Sequence, residues 1–149
     1  MSHVLISRLA AVRGEYEVAK ASIEYLQSEW PRLHSHPPFD DLRMVEVRRA
    51  ASNLEATYIV RLFTAFEAML RDFLPRLHPN QPDRRSAYDL IDRTASRLHI
   101  PAVVRDEAHQ VRQYRNQAVH AGGMAMTALL FADALAALNR FLSWLPNPP

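Results

Sequence analysis

The chain has 149 residues, a formal net charge of +2, 48% hydrophobic residues, three glycines and no cysteine. That length and apolar content suit one domain around one core and exclude a disordered chain, while the absence of cysteine excludes a disulfide, a thiolate nucleophile and a cysteine-ligated zinc. The opening MSHVLISRLAAVRG lacks the apolar core and cleavage pattern of a signal peptide, and no run approaches the roughly 20 apolar residues that span a bilayer, so a cytoplasmic protein without membrane contact is expected.

The first predicted helix covers residues 2–30. Leu5, Leu9, Val12, Tyr16, Ala19, Ile23, Leu26 and Trp30 alternate by four and three, an apolar seam with the heptad period. Such a seam packs either on the long helices of its own chain or on a second subunit, and both readings stay open. Pro31 is expected to end the helix, because proline disfavours helical geometry in the residue before it. PRLHSHPP then reads as a solvated linker, since His34 and His36 lack the third ligand of a good metal site.

A long second helix is predicted over 39–74, with Asp40 and Asp41 in its first turn. Leu42, Val45, Leu54, Tyr58, Leu62, Ala65, Met69 and Phe73 fall on one broad stripe. The polar stretch 48–53 either bends the helix or lies on its solvated side, and Pro75 closes the element. Ser86 with Asp89 three residues on reads as a capping box opening a short helix over 86–98. Pro101 suits the first position of a fourth helix, 101–120, because its missing N–H costs nothing there. That helix turns Val104, Ala108, Val111, Tyr114 and Ala118 inward, and Gly122 and Gly123 break it. A last helix over 124–145 offers Leu130, Ala134, Ala137, Leu138, Phe141 and Leu145 to the core. No strand pattern, internal repeat or low-complexity tract competes. The expected fold is all-α, an up-and-down bundle of four to five helices forming a single domain over 1–149.

Charge is unevenly placed. Arg84, Arg85, Arg93, Arg97, Arg105, Arg112 and Arg115 crowd the second half, diluted by Asp83, Asp89, Asp92, Asp106 and Glu107. The pattern suits a local electropositive groove better than a uniformly basic face. Trp30 and Trp144 read as helix-packing residues, since neither is interleaved with basic residues as a base-stacking platform would be.

The most informative segment is Arg115-Asn116-Gln117-Ala118-Val119-His120, just ahead of the glycine pair. It places a permanent cation, an amide and a titratable imidazole at a helix end, groups that can hold a phosphate and move a proton. Basic residues also favour helix C-termini simply because they suit the dipole. At about 100° per residue, Asn116 and His120 lie some 40° apart, but Arg115 and His120 lie about 140° apart on an unbroken helix. Either the helix stops before His120 and a turn brings the ring back, or the working site combines groups from two chains. His109 and Arg112 approach the side of Asn116, with Arg105 further back, and can extend a phosphate-binding strip or form a solvated polar face. Glu67 lies amid apolar residues and needs either a cationic partner, such as an arginine near the motif, or solvent.

An arginine, a polar residue and a histidine spaced in this way resemble the signature of the HEPN superfamily, carried here by Arg115, Asn116 and His120. The stretch YIVRLFTAFEAMLRDFL resembles that family's long early helix, and the match covers about residues 42 to 145. The resemblance implies metal-independent RNA cleavage without a cofactor, with Arg115, Asn116 and His120 catalytic. Arg105, His109 and Arg112 would then contact RNA, and Glu67 would serve as acidic support. It also implies a homodimer in which two motifs share one cleft. In one branch of the family a tyrosine follows two positions after the histidine; here that position is Gly122, so control through such a tyrosine is not expected. Any antitoxin would be separately encoded. A noncatalytic module binding RNA or a nucleotide, and a helical partner protein, are the alternatives.

Overall fold

The computed structural model describes residues 3–77, 86–120 and 128–146. Those residues form an all-α bundle of five helices: α1 (His3–Leu33), α2 (Met44–Leu77), α3 (Ala87–Leu98), α4 (Ala102–His120) and α5 (Phe131–Leu142). No strand occurs among the described residues.

The seam of α1 is used within the chain. Leu9, Val12 and Tyr16 are buried, Ala19, Ile23, Leu26 and Trp30 are half-buried, and the helix packs mainly along α2, with a smaller contact to α5. The side chain of Leu5 lies outside the described residues. Pro31 does not end α1, which continues to Leu33. So close to a C-terminus, proline costs one hydrogen bond and displaces one carbonyl without stopping the chain. The turn beyond closes through the His34 N–H on the Trp30 carbonyl at 3.1 Å. Position 75 likewise falls inside α2, which ends at Leu77.

α2 begins at Met44, later than expected, and its first turn is organised by Glu46 rather than Asp40 and Asp41. The Arg43 N–H donates to Glu46 Oε2 at 2.8 Å, half of a capping box. That bond, with the Arg43 side chain, holds the Glu46 carboxyl below its ordinary range. Leu42 and Val45 precede or begin the helix and are 41% and 52% exposed, so they leave the expected stripe. The segment 48–53 is solvated and α2 runs through it without a break. The core side of α2 starts in earnest at Ile59 and continues through Leu62, Phe63, Phe66, Met69, Leu70, Phe73 and Leu74. Further out, among described residues 17–58, only Val47 is buried. The α1–α2 hairpin therefore has a deeply packed inner half and a half-buried outer half.

Ser86 and Asp89 form the capping box of α3, each side chain bonding the other's backbone N–H. His99 ends α3 in the left-handed region at φ 54°, returning its N–H to the Ala95 and Ser96 carbonyls. Pro101 sits one position ahead of α4, and its carbonyl accepts from Val104 and Arg105 at 3.0 and 3.1 Å. Val104, Ala108, Val111 and Tyr114 point into the core and Ala118 packs beside it. This short connection fixes the register of α3 against α4, on which the candidate site depends.

α5 starts at Phe131 instead of near 124; residues 124–127 lie outside the described residues and 128–130 are not helical. Leu130 is the N-cap, extended at φ −82° and ψ 147°, and is 61% exposed rather than in the core. A leucine has no side-chain oxygen for the free N–H groups of a helix start. Glu55 of α2 supplies one: its Oε2 accepts the Phe131 N–H at 2.6 Å, while its Oε1 accepts the Tyr16 hydroxyl of α1. The Tyr16 and Phe131 rings stack at 4.0 Å, with Tyr58 edge-on to both. Ala134, Leu138, Phe141 and Leu145 are buried as expected, and Phe131 and Leu142 join them. Trp144 is half exposed and is not a packing anchor. No helix among the described residues is long and apolar enough to cross a membrane.

Candidate functional site

α4 runs unbroken to its final residue, His120. The option in which the helix stops earlier and a turn returns the imidazole is therefore not the one the backbone takes. Arg115 and position 120 keep their divergence of about 140°, whereas Asn116 and position 120 stay about 40° apart. The His120 side chain, with Gly122 and Gly123, lies outside the described residues.

Arg115 and Asn116 are both half-buried. Arg115 Nη1 donates to Asn116 Oδ1 at 3.0 Å, so the amide braces the guanidinium from the adjacent position. The Arg115 Nε–H is buried and has no hydrogen-bond partner. An unsatisfied buried donor of this kind costs about 1–3 kcal/mol, and natural folds leave few of them.

One turn back, the strip foreseen on α4 is real as a register. Arg105, His109, Arg112 and Asn116 span an arc of only about 60°. The structure adds two residues of α3 that sequence reasoning missed, Tyr88 and Asp92. His109 Nε2 bonds Asp92 Oδ1 at 2.8 Å, and Arg112 Nε reaches His109 Nδ1 at 3.3 Å. An arginine only donates, so Nδ1 accepts and the proton on Nε2 goes to Asp92. The Tyr88 ring stacks on His109 at 4.7 Å and lies 5.2 Å from the Arg112 guanidinium carbon. The Asp92 carboxylate raises the phenol's pKa. Burial pushes the Asp92 carboxyl up, but the hydrogen bonds from His109 and Tyr88 outweigh it and the net shift is downward.

Arg105, at the far end of the strip, is held by Asp106 Oδ1 through Nε at 2.9 Å and Nη2 at 2.8 Å, which raises its pKa. The pair is exposed, and such pairs contribute little to stability, so Arg105 can exchange Asp106 for another anion. Glu67 bonds Arg71 on its own helix at 2.7 Å rather than an arginine of the motif. Glu55, on the same helix, does reach across to other elements, to the Phe131 N–H and the Tyr16 hydroxyl. The cavity of about 240 Å³ between α4 and α5, lined by Glu107, Gln110, Asp133 and Arg140 among others, opens away from the strip.

Tyr88 and Asp92 had a faint signal in the sequence, an i, i+4 pair that begins within the Ser86–Asp89 capping box. Nothing local says that the pair meets His109; that needs the register set by the His99–Pro101 connection. No protein-family model, curated protein or solved structure matches this chain.

Proposed function

We propose that the protein is a metal-independent endoribonuclease of HEPN type, active as a homodimer that pairs two Arg115–Asn116–His120 segments in one cleft. The observation that carries this reading is the Arg115 guanidinium: half-buried, braced by Asn116, with one donor left unpaired at the end of a helix that closes on a histidine. A phosphate would bond that guanidinium through its terminal nitrogens with charge-assisted bonds. The divergence of Arg115 from position 120 on one helix favours a site shared between two chains.

In the proposed reaction the ribose 2′-oxygen bonds to the adjacent phosphorus as a base removes its proton. The bond from phosphorus to the 5′-oxygen breaks, and an acid protonates that leaving oxygen. The products are a 2′,3′-cyclic phosphate and a free 5′-hydroxyl, with no water consumed. His120 is the proton carrier, and two copies divide the base and acid roles. Arg115 neutralises the charge that builds on the phosphorane.

The test is incubation with mixed RNA in excess chelator. Fragments ending in cyclic phosphate are expected, and His120→Ala should abolish them while leaving helicity intact. Equal cleavage by His120→Ala, or products with other ends, would remove this mechanism. One observation favours a second reading, a module that binds RNA without cutting it. His109, the imidazole described on the strip, has both ring nitrogens engaged and so offers no free base there. Binding that follows Arg115 and Arg112, with no product under any condition, would select that reading.

A further inference from the structure

We infer that Tyr88 is a base-stacking platform for single-stranded RNA, set beside the cations of α4 so that one nucleotide is held by its base on α3 and by its phosphates on α4. The inference rests on the RNA reading above and adds to it an aromatic contact that the chain's tryptophans do not provide.

The platform is built before any ligand arrives. Tyr88 is 49% exposed, an unusual position for an aromatic ring whose other contacts are so well defined. His109 stacks beneath it, and Asp92, whose carboxylate raises the phenol's pKa, in turn fixes His109. The side chain of His109 is only 12% exposed, so it serves as the support and Tyr88 as the exposed surface. A ring locked in this way loses little rotamer freedom on binding, which is how a preorganised site gains affinity.

The surrounding charge fits a nucleotide. The Arg112 guanidinium lies against the Tyr88 ring and shares an arc of α4 with Arg105 and Asn116. Stacking is indifferent to base identity because every base has a π face, and Arg neighbours add cation–π attraction. The platform therefore predicts affinity for single strands without strong sequence preference. A duplex keeps its bases stacked on one another and should gain little from Tyr88.

The experiment is fluorescence anisotropy with a short 2′-O-methyl RNA, which lacks the nucleophile for cleavage, and with an abasic strand of equal length. Tyr88→Ala should weaken binding of the base-containing strand about tenfold or more and leave the abasic strand unchanged. Tyr88→Phe should retain most of the affinity, since the aromatic face persists. Tyr88→Leu, which still covers His109, should behave like Tyr88→Ala and guards against a trivial folding defect. Arg112→Ala should weaken both strands alike. Wild-type affinity in Tyr88→Ala and Tyr88→Leu, or equal losses on both strands, would overturn the platform. The two readings fail separately. Base-dependent binding through Tyr88 with no cleavage of ordinary RNA removes the nuclease and keeps the platform. Cleavage of ordinary RNA with no effect of Tyr88 substitutions does the reverse. A wild-type protein that binds neither strand overturns the platform as well.

Discussion

Glu55→Ala should lower the unfolding free energy by about 3 kcal/mol, since hydrogen bonds to a charged group contribute about 1.5–3 kcal/mol each. Two such bonds converge on this carboxylate, from the Phe131 N–H and the Tyr16 hydroxyl. Truncation strips the start of α5 of its acceptor and leaves a buried phenol without one. Glu55→Gln keeps an acceptor oxygen but loses the charge, and should cost about half as much. A shift of the urea midpoint checks both variants; an unchanged midpoint in Glu55→Ala would mean that water replaces the carboxylate at no loss. The same junction sets an alkaline limit. Burial, then the hydrogen bond and charge of Glu55, raise the Tyr16 pKa from 10.0 to about 12. Between those values the unfolded chain releases a phenolic proton that the folded chain keeps. The unfolded state then binds fewer protons, so stability falls as pH rises. The Tyr16 contribution is fully present below about 10 and is lost as pH passes through about 12. Tyr16→Phe should therefore show a shallower alkaline decline than the parent; parallel profiles would contradict the assignment.

Arg115→Met should reduce the proposed RNA cleavage by about 10²–10³-fold, the usual effect of removing one preorganised donor to a developing oxyanion, while leaving the unfolding midpoint unchanged or higher. The two halves of this expectation share one origin. The Arg115 Nε–H is buried without a partner, and methionine fills the volume of the stem without the polar atom that costs stability. Arg115→Lys should not restore activity, because an ammonium cannot reproduce the guanidinium fork. A large loss of stability in Arg115→Met would show that the guanidinium is a structural group instead. Mixing Arg115→Ala with His120→Ala extends the test to assembly: a mixed dimer holds one Arg115 and one His120, from different chains, so activity should stay lost if two histidines divide the acid and base roles, and its return would show that one histidine opposite one arginine of the other chain suffices.

The helices were largely legible because their signals are local. The heptad alternation of α1, the Ser86–Asp89 box and the inward faces of α4 and α5 each depend on spacing within a few turns. The errors sit where a distant residue decides. Leu130 continues the apolar period of α5 and so reads as core, yet the helix starts one residue later, where Glu55 reaches in from α2. Leu42 and Val45 extend the stripe of α2, but both are exposed, and at that end Val47 is the buried position. At Pro31 the restriction that proline places on the preceding residue argues for a stop, but the last turn of α1 carries the chain on to Leu33. At the candidate site, the register of Arg105, His109, Arg112 and Asn116 followed from helical geometry alone. Tyr88 and Asp92 did not, because their roles appear only once α3 lies against α4. Glu67 was singled out for its apolar neighbours, and its partner proved to be one turn away on the same helix.

The uneven packing of the α1–α2 hairpin has a consequence for how the molecule opens. α1 has 31 residues and α2 has 34, against 12 for α3, 19 for α4 and 12 for α5, so the long pair exceeds the longest of the others by roughly 20 Å at 1.5 Å per residue. The overhang buries little beyond Val47, whereas the inner end holds nearly all of the aromatic core. Protection against amide hydrogen exchange should divide along that line. Amides of the overhang exchange through local separation of two helices, and those around Phe63, Phe66 and Phe141 only when the whole bundle unfolds. Mild urea should speed exchange steeply at the inner end and hardly at all in the overhang.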